Sequence, residues 1–256
     1  MRTGICENAF IPLRAGMSHK SEMLSQILFG ELFEIQIARG DWAKVRLLHD
    51  NYEGWVDETT ITLLDENSEE IALFENPLVC HETVCLGINS DKITIPNGAK
   101  LPSGKSDFYI NKNHYKIPSD FTAFDNNNKS ETIIKAATKM LNTPYLWGGR
   151  TSWGTDCSGF AQYLYSLAEI KLPRDASQQV NLGRTLSFVS EAQPGDLAFF
   201  DNEEGQITHV GIICEQGKII HASGKVKIDS IDHQGIYSKN LKRYTHNLRV
   251  VKTLLW

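Results

Sequence analysis

The sequence predicts an α+β protein: two small all-β barrels in front, then a unit in which helices precede a sheet. Three observations predict this. Roughly the first 125 of the 256 residues carry short apolar runs broken by Gly and Asp turns, with little helical period. A polar, Asn-rich segment, "DNNNKS" at 125–130, follows. Beyond it, apolar residues recur first at helical spacing and then in short β runs.

In the front half, "ELFEIQIARGDWAKVRLL" reads as two strands joined at "RGDW". "YEGWVDETTITLL" continues the first barrel, with Trp55 expected in its core beside Val56. A second barrel is expected over the next 60 or so residues. There "PNGAKLPSG" is turn-rich, and "FYINKNHYKI" reads as a closing hairpin with Asn-Lys-Asn at its tip. The expected boundaries are 1–63, 64–124 and 125–256.

After the linker, Ser130 is the expected N-cap of "ETIIKAATKML", whose Ile133, Ile134, Ala137 and Leu141 recur at helical spacing. An aromatic, Gly-rich stretch, "NTPYLWGGRTSWGTD", leads into a second helix, "CSGFAQYLYSLAEI", with Phe160, Leu164 and Leu167 on one face. The loop "LPRDASQQV" then gives way to the strands "GDLAFFD", "ITHVGIIC", "KIIHASG" and "LRVVKTLL".

Composition excludes several function classes. The formal net charge is −5, with no basic cluster or tail, which argues against nucleic-acid and anionic-membrane partners. No apolar run approaches the roughly 20 residues that span a bilayer. The N-terminal "MRTGICENAFIPLRAG" lacks the apolar stretch of a secretory signal, so a cytoplasmic location is expected. The five cysteines are odd in number and none has CxxC spacing, so free thiols are expected, with Cys80 and Cys85 the one pair near enough in sequence to bridge. Cys and His residues do not cluster at the short spacings of a zinc site, and no metal is expected.

Within "GTDCSGF", Cys157 falls at the first turn of the second helix, behind Asp156 as N-cap. Unpaired N–H groups and the positive end of the helix dipole favour an anion there. Thiols so placed fall from a pKa of about 8.5 to roughly 3.5–7.5, and the thiolate is the nucleophile. Gly148, Gly149 and Gly154 would let a substrate approach the backbone.

A thiolate nucleophile needs a basic partner, and histidine serves. His209 and His221 lie on consecutive strands around "EQGK". With a three-residue loop from Glu215 to Gly217, Cys214 faces Lys218 and His209 faces Ser223. His221 then shares the face of His209 as its diagonal neighbour, roughly 7–8 Å away. A two-residue loop at Gln216-Gly217 would put the two rings on opposite faces. A strand histidine is commonly no more than a packed residue; two on one hairpin face, downstream of a helix-start cysteine, form a catalytic constellation. The other six histidines, including His81 and His246, have turn or surface contexts.

At these residues a resemblance enters. "PYLWGGRTSWGTDCSGF", "LPRDASQQ", "PGDLAFF", "ITHVGI" and "IIHASG" resemble, in order and spacing across 130–256, the NlpC-type cysteine peptidases of bacterial cell-wall metabolism. The resemblance implies a papain-like fold, with a cysteine-bearing helix packed on an antiparallel sheet that carries the histidines. It implies Cys157 as nucleophile, His209 as general base and His221 as the third polar residue, with no cofactor. Donors near the helix start, including the Cys157 N–H, would meet the oxyanion.

"SEMLSQILFGELFEI", "GDWAKV" and "YEGWV" are similar to the bacterial SH3-like domains that precede such units in γ-D-glutamyl-L-diamino-acid peptidases. In that subgroup the first such domain helps recognise a free α-amine. The likeness implies Asp156, Ser158, Tyr52 and Glu22 at the amine, with Glu31 the rival of Glu22. Tyr145 and Trp147 would line the groove, and Arg174 and Asp175 would hold substrate charges or form a structural ion pair. The implied reaction is hydrolysis after γ-D-glutamate in murein stem peptides with a free N-terminal L-Ala, within wall recycling. The rivals are an endopeptidase on intact wall and an inert wall-binding protein.

Overall fold

The computed structural model describes residues 2–65, 69–124 and 128–255. The chain divides into two compact units, Met1–Phe124 and Asp125–Trp256. Residues 125–127 of the expected linker lie outside the described residues.

The first unit is almost entirely β. Seven antiparallel strands between Arg2 and Leu64 form one sheet around Ile11, Leu13, Ile27, Phe33, Val45 and Val56. The hairpin expected at "RGDW" joins Leu32–Arg39 to Trp42–Leu47, with Gly40 at a φ of 59° in its two-residue turn. Trp55 is only half-buried, because it alternates with Val56 and so faces away from the core. A four-stranded sheet follows, and its last hairpin turns on Asn111-Lys112 alone, since Ile110 pairs with Asn113. The core of this second region also contains Ile5, Phe29, Leu32 and Leu64, so one apolar interior runs across the boundary expected at 63–64.

In the second unit, helix α1 (Lys129–Lys139) buries Thr132, Ile133, Ala136 and Ala137. Its N-cap is Asn128, whose side chain accepts from the Glu131 N–H, and not Ser130, which lies inside the first turn. Helix α2 (Cys157–Leu167) is buried on nearly every side rather than along one stripe, as befits a helix enclosed by the rest of its unit.

Six longer strands build the main sheet of the unit: β1 (Leu197–Asp201), β2 (Ile207–Glu215), β3 (Lys218–Ser223), β4 (Lys225–Ile231), β5 (Gly235–Ser238) and β6 (Arg243–Thr253). They pair in that order, and β6 pairs with both β5 and β1, so the sheet closes on itself. A two-residue strand, Arg184–Thr185, adds to the far half of β6. Ala198, Phe200, Ile213, Ile219, Ile236 and Val251 fill the ring.

The β2–β3 hairpin departs from the expected loop. Glu215 pairs with Lys218, so the turn has two residues, Gln216-Gly217. Cys214 bulges between Ile213 and Glu215, and this extra residue restores the parity that a two-residue turn would have broken. Ile212 pairs with Ile220 and Ile213 with Ile219. Continued, this register sets Gly211 beside His221 and keeps His209 on the same face.

Candidate active site

The start of α2 is held by a buried ionic knot. Asp156 caps the helix, its Oδ1 accepting from the Gly159 N–H at 2.7 Å, while its Oδ2 accepts from the Gly148 N–H at 2.8 Å. Arg174 donates to both carboxylate oxygens, at 3.1 and 2.5 Å, and to the Ser158 hydroxyl at 2.8 Å. Both charged residues are buried. Gln179, fully buried, donates to the backbone oxygens of Ser158 and Pro173. Thus the "LPRDASQQ" loop splints the segment that carries the cysteine. Gln179 went unmarked in the sequence reading; its place four residues after Asp175, on the helix Ala176–Gln179, is the only cue the sequence offers.

The glycines before the helix are buried and serve backbone packing rather than substrate access. A Cβ on Gly149 would lie 2.4 Å from the Gly154 carbonyl oxygen. One on Gly159 would lie 2.3 Å from that of Gly149.

Cys157 differs electrostatically from the sequence expectation. Burial, and secondly the Asp156 charge, push its thiol up to about 11. The first-turn amide that would favour a thiolate is spent on the Asp156 carboxylate, which Arg174 has already neutralised. The backbone of Val210 and of Ser158 pull the other way, through hydrogen bonds to the sulfur. The resting nucleophile is therefore a neutral thiol that needs a base when it reacts.

Val210 directly follows His209, so the same strand that reaches the sulfur carries the base. His209 Nε2 lies 2.9 Å from His221 Nδ1, and His221 Nε2 lies 3.1 Å from Asp229 Oδ2. The hydrogen bond from His221 holds the Asp229 carboxyl below its ordinary range, so this end of the chain is an acceptor. His221 then donates from Nε2 and accepts at Nδ1 from His209 Nε2–H. That ordering leaves the lone pair of His209 on Nδ1. Burial, followed by the neighbouring His221, His246 and Lys227, holds His209 well below the ordinary imidazole range, so the base is neutral.

Gly211 makes the relay compact: a Cβ there would sit 2.9 Å from the His221 Cβ. Asp229 and His246 were not singled out from sequence. Asp229 is the diagonal neighbour of His221 on β4, where His221 pairs with Lys227 and Ile219 with Asp229. His246, expected to be solvated, is half-buried and stacks on His209, the ring centroids 4.2 Å apart. His81 is also shielded, stacked on Phe121 in the first unit.

A cleft of about 250 Å³ opens beside the relay, lined by Tyr145, His209, Ser223, Gly224 and His246. Burial, then the neighbouring Cys157 and Asp156, push the Tyr145 hydroxyl up to about 12 and keep it a donor. The second unit thus brings together Cys157, Asp156, Ser158, Tyr145, Arg174, His209 and His221. Trp147 is 59% exposed, and Asp175 stands half-buried before the helix it precedes. In the first unit, Tyr52 packs on the core of the seven-stranded sheet and Glu22 is exposed. Glu31 is buried, its carboxylate accepting from the Leu28 N–H at 2.9 Å.

A cysteine at a buried helix start, and an imidazole of fixed tautomer on the strand whose Val210 backbone reaches its sulfur, are the parts a thiol peptidase requires. Residues 142–245 match the NlpC/P60 family, and residues 13–61 match the bacterial dipeptidyl-peptidase SH3 domain. The chain carries an NlpC/P60 cysteine peptidase domain behind an SH3 domain of that bacterial type. It is 27% identical to a gamma-D-glutamyl-L-lysine dipeptidyl-peptidase of Bacillus cereus, over 80% of this chain and 69% of that protein. It is 44% identical to a probable endopeptidase p60 of Listeria seeligeri, over 40% of this chain and 20% of that protein. The crystal structure of an NlpC/P60 family protein from Bacillus cereus superposes with a TM-score of 0.81 at 19% identity, covering 99% of this chain and all of that one.

With Cys157 as nucleophile and His209 as base, the arrangement could carry out acyl transfer. As the Cys157 sulfur attacked a carbonyl carbon, its proton would pass to His209 Nδ1. The new imidazolium would donate to His221, which Asp229 holds in the accepting tautomer. The Cys157 N–H, in the first helical turn, has no intrahelical acceptor and would be available to an oxyanion. His209 would then protonate the departing amine, and water would attack the thioester with His209 again as base.

Proposed function

We propose that this protein is a γ-D-glutamyl-L-diamino-acid dipeptidyl-peptidase. It cleaves after γ-D-glutamate in murein stem peptides bearing a free N-terminal L-Ala, and it releases L-Ala-γ-D-Glu. One observation carries the reading: an NlpC/P60 domain and a dipeptidyl-peptidase SH3 domain occur in one chain, and a relative aligned across most of both is named for this activity. Asp156 and Ser158 supply acceptors beside the nucleophile, and Tyr52 with Glu22 or Glu31 are the proposed contributions of the SH3 domain to amine recognition. The proposed setting is recycling of released wall fragments inside the cytoplasm.

The test is release of dipeptide from L-Ala-γ-D-Glu-L-Lys and from its meso-diaminopimelate counterpart, each with and without N-acetylation. Cleavage that disappears on acetylation is expected. Equal cleavage of blocked and free peptides overturns end-trimming. That result would favour the second reading, an endopeptidase, which the 44% identity to a probable endopeptidase across the catalytic segment supports.

A further inference from the structure

We infer that His246 is a positioning residue for the catalytic base: its ring, stacked on His209, holds that imidazole in the plane of the relay and stabilises the imidazolium formed when Cys157 gives up its proton. The inference rests on the cysteine-peptidase chemistry and is independent of which peptide is cut.

Among the described residues three rings meet His209, and one of them meets it face to face. His246 lies with its centroid 4.2 Å away and its plane 26° off parallel. His221 presents an edge, at 5.1 Å and 81°, in keeping with the hydrogen bond between the two rings. Phe200 is tilted, at 5.7 Å and 45°. The bond to His221 pins His209 at Nε2. A ring pinned at one atom can still rock, and a near-parallel neighbour opposes the rocking because a tilt drives the ring edge into it.

His246 is itself held. Its Nδ1 lies 2.9 Å from the Thr245 hydroxyl, which also reaches the Ile236 carbonyl at 3.3 Å. Phe200 and His221 pack T-shaped against it, at 5.9 and 5.7 Å. Behind it β5 pairs Ile236 with His246, and Gly235, at a φ of 144°, brings β5 against the His246 carbonyl, which a Cβ there would overlap.

The stack also bears on charge. When His209 takes the proton, a positive charge arises in a buried ring, and the Lys227 ammonium opposes it. The face of a neutral aromatic ring attracts a cation within about 6 Å of its centroid. His246 supplies that face. The proton belongs on His209 rather than on His246, because His209 backs onto a ring that donates to a carboxylate, whereas His246 backs onto a hydroxyl.

The test reads the sulfur and its base without a substrate. The full chain is alkylated with iodoacetamide, and the Cys157 peptide is followed by mass spectrometry, apart from the other cysteines. His246→Leu keeps bulk but removes the π face. His246→Phe keeps a face and leaves the Thr245 hydroxyl its Ile236 acceptor. At pH 7 the leucine variant should be labelled about 3–30-fold more slowly than the parent, and the phenylalanine variant should recover to within about threefold. At pH 10, approaching the thiol value of about 11, hydroxide ionises the sulfur without help from His209, and the leucine variant should converge on the parent. Equal losses in both variants, a leucine variant labelled at the parent rate, or a deficit that persists at pH 10 would each overturn the inference. Circular dichroism establishes folding. If His246→Leu does not fold, Thr245→Val decides, since it removes only the hydroxyl that holds the stacked ring: slowing at pH 7 that vanishes at pH 10 supports the inference, and any other pattern overturns it.

Discussion

Replacing Asp229 tests whether the relay behind His209 is ordered by a charge. Asp229 Oδ2 receives both the His221 Nε2–H, at 3.1 Å, and the Lys227 ammonium, at 3.1 Å. Its side chain is 13% exposed, so solvent screens it little. A hydrogen bond to a charged group contributes about 1.5–3 kcal/mol, and a neutral acceptor roughly half of that. Asp229→Asn keeps an oxygen in place, and Lys227 selects the amide rotamer that points it at His221. The loss is then about 1 kcal/mol, a fall in kcat of about 5-fold. Asp229→Ala removes the acceptor altogether and should cost about 10–150-fold. Steady-state kinetics on the tripeptide, with circular dichroism to establish folding, measure both. KM should change little, because Asp229 touches His221 and not the cleft-lining residues. Alanine and asparagine variants both within twofold of the parent in kcat would refute the argument that the carboxylate fixes the tautomers.

Cys157→Ala should abolish turnover and leave the circular dichroism spectrum unchanged, since only one sulfur is removed from a helix capped by Asp156. Gly159→Ala should destabilise the protein by about 1–3 kcal/mol, because the clash is with the Gly149 carbonyl oxygen at 2.3 Å, a backbone atom with little room to move; urea unfolding measures it. The buried histidines make stability depend on pH. Their folded values lie below the unfolded imidazole value of about 6.5, so the unfolded chain binds the extra protons first. Their contribution is whole above pH 6.5 and is lost as pH falls through the lower folded values, and the thermal midpoint should drop between pH 7 and pH 5. The same shift should place the acid limb of kcat/KM below pH 6.5, because His209 holds its lone pair to lower pH than a free imidazole.

Local chemistry made part of the site legible in the sequence. An aspartate before a helix start announces a cap, and Asp156 is one. Period-two alternation put His209 and His221 on one face, although the parity comes from a bulge at Cys214 rather than a three-residue loop. What failed to show was fixed by tertiary placement. The Cys157 thiol is raised first by burial and then by the charge of Asp156, whose carboxylate also takes up a first-turn amide of the helix; spacing alone reveals neither. Asp229 stands on β4, a strand absent from the sequence reading, although the same diagonal rule that joined the two histidines would have placed it had that strand been recognised. His246 reaches His209 because β6 pairs with β1, segments far apart in the chain. In the first unit, apolar character alone sends both Trp55 and Val56 inward, whereas strand alternation turns Trp55 outward.

Ring closure also bears on how a peptide is read. β6 is flanked by β1 on one side and by β5 and Arg184–Thr185 on the other, so its backbone donors and acceptors are engaged along most of its length. Along β6 a visiting chain finds little free ladder to extend. The open stretch lies elsewhere, where β2 and β3 part: their pairing ends at Ile212 and Ile220, short of His209 and His221.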